Sequence, residues 1–247
     1  MLVLDGRAIE LEAHLRRLDA SLNALFGDRL PDAARGEVVE QASAVEHGKL
    51  RITVIPAERS LIAKVATTEV ARPLVFPGRD GAVALRSVVA GDGLGAHKWA
   101  DRRLLEAAEA ELPGAVPLLL DGDALVLEAS RGSVFSMRER TLTTPPADGR
   151  ILPSIARQRV IEVAAAQGVE VRERALALAE LRAGEAFLAG SVRGIEPVRS
   201  VDGTELPGPG EIGARIASGL KRRWLAVPRA GSAAAVEVGR RAGRRAR

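Results

Sequence analysis

The sequence predicts a mixed α/β (α+β) protein with a small domain followed by a larger one. Three observations carry that prediction. Segments that alternate like strands and segments with a helical period are mixed along the chain, without a regular strand–helix–strand beat. At 247 residues the chain is long enough for one large core or two small ones. Gly91-Asp92-Gly93-Leu94-Gly95 is the most flexible stretch near the middle. A junction is expected there, giving a small domain at 1–90, a linker at 91–97 and a larger domain at 98–228.

Taken in order, Met1–Leu4, a turn at Asp5-Gly6 and Ala8–Leu11 read as a hairpin. Leu11, Leu15, Leu18, Leu22 and Leu25 recur on one face of a helix that Gly27 ends. Pro31 and Gly48 bracket a second helix, Asp32–Glu46. Leu50–Ile55 and Leu61–Thr67 alternate as strands around a turn near Pro56-Ala57, and Val83–Ala90 is another strand. Asp101–Leu112 is helical. The block 118–157 reads as two or three short strands, a Pro-Pro loop and a helix start at Pro153-Ser154-Ile155-Ala156. Ile155–Gln167 continues that helix until Gly168. Val169–Arg172 is a strand, Leu178–Arg182 a short helical turn and Ala186–Ala189 a strand that enters Gly190-Ser191-Val192-Arg193-Gly194. Glu196–Val201 is the last strand and Glu211–Leu225 the last helix.

Composition narrows the function classes. Aromatic residues are 2% of the chain, so the core is built from Leu, Val, Ile and Ala, with Trp99 and Trp224 expected inside it. The absence of cysteine excludes disulfides and thiolate metal sites and fits a cytoplasmic location. No run approaches the roughly 18 apolar residues of a membrane span. The pI of about 10.2 comes from one end. Residues 229–247 hold six arginines against Glu237, a net +5 within a total of +4, so the rest of the chain is slightly acidic. Such a tail is most simply disordered. With no aromatic residue to stack on bases, it is not read as a specific nucleic-acid surface. His14, His47 and His97 are too scattered for a metal site, so no metal is expected. There is no GxGxxG and no GxxxxGK[ST].

Chemistry concentrates at a few positions. Leu125-Val126-Leu127 delivers one carboxylate, Glu128, close to the helix start at Ser154. A carboxylate beside a helix N-terminus suits a cofactor with a cationic ring and a phosphate. Lysine is scarce. Lys49, Lys64, Lys98 and Lys221 stand against 32 arginines, so a lysine here occupies a place where guanidinium does not substitute.

The ordered set E-A-S-R-G-S-V-F, T-L-T-T-P-P, I-L-P-S-I-A-R and A-G-S-V-R-G-I-E-P-V resembles the class IV pyridoxal-phosphate (PLP) aminotransferase family. That family includes branched-chain and D-amino-acid aminotransferases and aminodeoxychorismate lyase. The resemblance runs from about Gly6 to about Trp224. It implies the two-domain fold type IV, with a small α/β domain, a larger barrel-like α/β domain, PLP between them and a homodimer. It implies a strand with a Gly-rich turn and an F-E-T segment ahead of residue 1.

The same resemblance assigns roles. Lys98, in Gly95-Ala96-His97-Lys98-Trp99-Ala100-Asp101-Arg102, matches the family's G-x-K-x-x-N-R. It would be the Schiff-base lysine, partly desolvated, with Arg102 among the cofactor-binding residues and Asp101 in place of Asn. Glu128 would face the pyridine nitrogen. Arg17, in H-L-R-R-L, matches a phosphate-binding arginine. Ile155 and Ala156 match the phosphate-binding Ile-Thr pair, with Ala in place of Thr. Ser191 matches the hydroxyl that closes the phosphate cup, and Val192 and Arg193 would face the substrate carboxylate. Ser133 replaces a usual Asn. The S-V-R-G segment is closer to the lyase side, giving 4-amino-4-deoxychorismate lyase as the first reading. A branched-chain or D-amino-acid aminotransferase is the alternative. A PLP-fold binding protein that no longer catalyses is the third, favoured by Ala156.

Overall fold

A computed structural model describes residues 1–58 and 60–226, so the arginine-rich tail at 229–247 lies outside the described residues. The chain divides into two compact units. One is Met1–Ala71 together with the end of the last helix from Arg222, and the other is Arg72–Lys221.

In the first unit, β1 (Leu2–Leu4) is buried and pairs antiparallel with both β2 (Arg7–Ala8) and β3 (His47–Ala57). Asp5 and Gly6 both take positive φ, 48° and 73°, the two-residue turn that Asp-Gly favours. β2 is shorter than predicted, because Leu11 already opens helix α1 (Leu11–Phe26). The leucine stripe of α1 buries Leu15 and Leu22, while Leu25 is 40% exposed. Gly27 ends α1 in a left-handed cap whose N–H reaches the Asn23 carbonyl. Helix α2 (Ala33–Ser43) stops early because β3 begins at His47. β3 and β4 (Ser60–Glu69) form a long antiparallel ladder from Gly48–Glu69 to Ala57–Ser60. Val3, Val38, Ala42 and Leu50 make the core of this unit.

The second unit contains β5 (Val83–Val89), α3 (Arg103–Glu111), β6 (Ala115–Leu120), β7 (Val126–Ala129), β8 (Ser133–Arg138) and β9 (Thr141–Thr144). It continues with α4 (Ile155–Ala166), β10 (Glu170–Glu173), α5 (Leu178–Arg182), β11 (Glu185–Gly190), β12 (Gly194–Val201), β13 (Thr204–Glu205) and α6 (Glu211–Leu225). The strands make one sheet in the order β10-β9-β8-β11-β12-β5-β6-β7, with β13 paired to β12. This corrects the expected junction. β5 lies inside the larger unit, hydrogen-bonded in parallel to β6 and β12, with Leu85 in the core. The Gly91–Gly95 stretch is therefore a loop within the unit. Glycine content signals backbone freedom, and only long-range pairing decides where a domain begins.

A bridge between Ala129 and Gly132 brings β7 back beside β8, so the sheet curls on itself. Leu85, Leu118, Val134, Leu188 and Val198 fill the interior of the curl and are almost fully buried. This is the barrel-like larger domain the sequence predicts. Closure needs a residue without a Cβ at the turn, since a Cβ on Gly132 would stand 2.7 Å from the Ala189 carbonyl oxygen. Gly132→Ala is therefore expected to destabilise the protein by about 2 kcal/mol through backbone displacement, measurable as a lowered midpoint in urea unfolding.

Candidate active site

Glu128 is aimed by a local irregularity. Leu118 of β6 pairs with Ala129 and Leu120 with Val126, so two steps on β6 face three steps on β7. The extra residue is a bulge, which breaks the alternation of faces. Val126 and Ala129 consequently both point into the barrel with Leu118 and Leu120. Leu127 points the other way, into a second cluster with Leu105, Leu119 and Ile151. Glu128 is turned with it, and its Oε1 accepts a 3.4 Å hydrogen bond from the Leu152 N–H, next to Ile151.

Glu128 is 8% exposed. Burial pushes its pKa up to about 7, against the opposing pulls of the Leu152 N–H and of the Lys98 ammonium. That last influence brings two sequence-predicted residues together: Lys98 and Glu128 feel each other's charge. Lys98 itself is exposed, where the sequence reading expected partial desolvation. It lies on no regular element, between the half-buried stretch Gly93–His97 and the exposed residues Trp99 and Ala100. Trp99, expected in the core, is 53% exposed and meets only the edge of the His97 ring among the aromatic contacts described, whereas Trp224 is buried as expected.

Arg102, expected to bind cofactor, makes protein contacts. Its Nη2 donates to the Ser130 carbonyl oxygen at 3.2 Å and stands 3.8 Å from Glu109. Glu109 in turn accepts the Ser130 hydroxyl at 2.7 Å. Arg102, Glu109 and Ser130 thus tie the turn after Glu128 to α3.

The start of α4 is a capped helix N-terminus. Ser154 is the N-cap, and its Oγ accepts from the Arg157 N–H at 3.3 Å. The N–H groups of Ile155 and Ala156, at the first two helical positions, have no partner within the helix. They offer two donors and a positive dipole end to an anion. Arg157 is buried and anchors this start by donating to the Pro145 carbonyl oxygen at 2.7 Å and to Glu173 at 2.8 Å. It fixes the Pro-Pro loop against the helix.

Ser191, Val192 and Arg193 form the turn between β11 and β12, all half-buried. Sequence reasoning missed their partner. Glu196 of β12 is buried opposite Leu188 and accepts from Arg131 Nη2 at 2.6 Å, while Arg193 Nη1 lies 3.6 Å from the same oxygen. Burial raises the Glu196 pKa and the two guanidiniums oppose it. The available signal was an acid inside the otherwise apolar I-E-P-V run, three residues after Arg193.

Arg17 lies on α1 of the first unit, half-buried, and burial lowers its pKa from the ordinary arginine value. Also in that unit, Asp5, Glu46 and His47 bring ligand atoms within 4.8 Å of one another, with both acids exposed.

Comparison with known proteins places this geometry in context. The family profile described as amino-transferase class IV matches residues 1–201. A stretch of 97 residues is 37% identical to the branched-chain-amino-acid aminotransferase of Escherichia coli strain K12, covering 39% of this chain and 31% of that protein. The chain thus matches about a third of the length of such relatives. A hypothetical aminotransferase from Mycobacterium tuberculosis, in its PLP-bound form, superposes with a TM-score of 0.80 at 25% identity, covering 91% of this chain and 87% of that one. The 4-amino-4-deoxychorismate lyase of Pseudomonas aeruginosa superposes with a TM-score of 0.77 at 26% identity, covering 92% and 90%.

Proposed function

The chain belongs to the class IV amino-transferase family, and from that membership we infer that it is a PLP-dependent enzyme that eliminates pyruvate from 4-amino-4-deoxychorismate to give 4-aminobenzoate. The single observation behind the PLP assignment is the buried Glu128 carboxylate, held by one 3.4 Å bond and standing within the field of Lys98. A carboxylate buried in this way suits a protonated pyridine nitrogen, which would hold it ionised. The donor set around it fits the rest of the cofactor. The Ile155 and Ala156 N–H groups suit a phosphate, and Ala156 offers its N–H without the hydroxyl that the family's threonine would add. Arg17 and the Ser191 hydroxyl are the further phosphate candidates, and the Arg17→Ala and Ser191→Ala variants test them separately.

When bound, PLP supplies an aldehyde for the amine and a ring that withdraws electrons from the substrate's reacting bonds. The chain's own residues do the rest. Lys98 would hold the cofactor and, as an amine, would carry a proton from the substrate and return one to the product. Glu128 would hold the ring nitrogen in its protonated form. Val192 and Arg193 orient the substrate carboxylate. Arg131 and Arg193 together outnumber Glu196, a net positive charge suited to a substrate with two carboxylates.

The reaction balances without a co-substrate, since aminodeoxychorismate divides into 4-aminobenzoate and pyruvate. PLP-loaded protein is expected to release the two products in equal amounts with no oxo acid present, read by aminobenzoate fluorescence and a coupled pyruvate assay. A second reading, transamination of branched-chain amino acids, is favoured by the 37% identical stretch. It predicts the opposite pattern: no aminobenzoate, and turnover only when a 2-oxo acid is added. Tight PLP binding with neither activity leaves the binding-protein reading. The homodimer and cytoplasmic location belong to this proposal. Among the described residues no helix is long and apolar enough to cross a membrane.

A further inference from the structure

Residues 150–152 touch each of the segments that present Lys98 and Glu128. The Arg150 carbonyl oxygen accepts the Gly95 N–H at 3.2 Å, three residues before Lys98. Gly93 packs so closely on the same carbonyl that a Cβ there would stand 2.2 Å from its oxygen. Ile151 is buried against Leu127. Leu152 donates its N–H to Glu128. Two residues further on, Ser154 caps α4.

The Arg150 side chain holds this segment from the other side. Its Nη1 bonds Asp121 at 2.9 Å, and its Nε and Nη2 bond Asp148 at 3.0 and 2.9 Å. Asp121 is buried and also organises the turn that leads into β7, with its Oδ1 accepting the N–H groups of Asp123 at 3.0 Å and Leu125 at 2.9 Å. One guanidinium is therefore fixed to the head of the strand that carries Glu128, and its own carbonyl is fixed to the loop that carries Lys98.

We propose that Arg150 is a positioning residue, and that the bracket 150–152 sets the spacing between Lys98 and Glu128 by tying both to the Asp121 turn. A fork that bonds two carboxylates in fixed directions suits this task better than a single flexible charge. The bracket acts through backbone bonds, so its side chain need touch neither cofactor nor substrate.

The test is local amide exchange in PLP-free protein, with PLP affinity as a second readout that rests on the PLP assignment. Arg150→Ala is expected to speed exchange at Gly95 and Leu152 by about tenfold or more, leaving Ala189 in the barrel unchanged. The same variant is expected to weaken PLP binding by about tenfold to a hundredfold. Asp121→Asn keeps the Oδ1 acceptor and removes the charge, and is expected to move both readouts the same way by less. Arg174→Ala, which breaks the exposed pair with Glu180, is expected to move neither. Wild-type exchange at Gly95 and Leu152 in Arg150→Ala would overturn the proposal. So would equal acceleration at Ala189, since Arg150 would then serve global stability alone. If the wild type binds no PLP, the cofactor assignment fails while the exchange result still decides the bracket.

Discussion

Lys98→Ala, purified and mixed with PLP, is expected to give no protein-bound visible band and to lose turnover by about a thousandfold or more. Borohydride treatment followed by mass spectrometry is expected to find the cofactor's mass on the Lys98 peptide of the wild type and nowhere in the variant. The expectation follows from where Lys98 stands. It is exposed and on no regular element, yet its charge reaches the buried Glu128. Lys49, Lys64 and Lys221 have no such acid assigned to them among the described residues. Lys49 and Lys64 lie on β3 and β4 of the first unit, and Lys221 lies on α6, 6.0 Å from the centre of the Phe76 ring. Cofactor trapped on any of these would remove Lys98 from the chemistry.

Glu128→Gln is expected to lower turnover by about a hundredfold while making the PLP-free protein more stable above neutral pH. The Glu128 pKa rises from 4.5 in an open chain to about 7 in the fold. Between those values the folded protein keeps the proton that the unfolded chain gives up. Stability is therefore full below about pH 4.5, falls as pH rises through the window, and is lost to the extent of about 3 kcal/mol above pH 7. Glutamine has no proton to release, so the variant lacks that slope. Urea unfolding at pH 5 and pH 8 is expected to show the two proteins nearly matched at the lower pH and the variant ahead at the higher. Added PLP is expected to narrow that gap, because a protonated ring nitrogen would stabilise the carboxylate's charged form. Parallel pH profiles for the two proteins would mean that Glu128 ionises in the fold without cost.

Much of the local structure was legible because it follows short-range rules. The helix at Glu211–Leu225 is found at its predicted limits, the Asp5-Gly6 turn takes the predicted form, and Ser154 caps α4 as its residue type allows. Glu128, Ile155 and Ser191 were assigned through ordered motifs, which record positions along the chain. What escaped is what depends on pairing across long distances. The partners of β5 lie in β6 and β12, and nothing within Val83–Val89 names them. The acid that shares its charge with Arg131 and Arg193 is on another strand. Exposure of Lys98 and Trp99 was misjudged for the same reason, since burial depends on what packs against a loop from elsewhere. Asp121 looked like an ordinary turn residue, which it is, and the bond from Arg150 to its other oxygen crosses 29 positions.

The bulge in β7 gives this strand a phase, and phase is sensitive to counting. Removing Leu127 would restore strict alternation and leave Glu128 facing outward between Val126 and Ala129, but without the apolar neighbour that packs on Leu105, Leu119 and Ile151. Replacing Leu127 by another apolar residue would leave the phase untouched. The gene should therefore accept apolar codon changes at Leu127 more readily than loss of that codon. A mutant library that varies Leu127 among apolar residues at constant length would keep both the acid's direction and the apolar wall beside it.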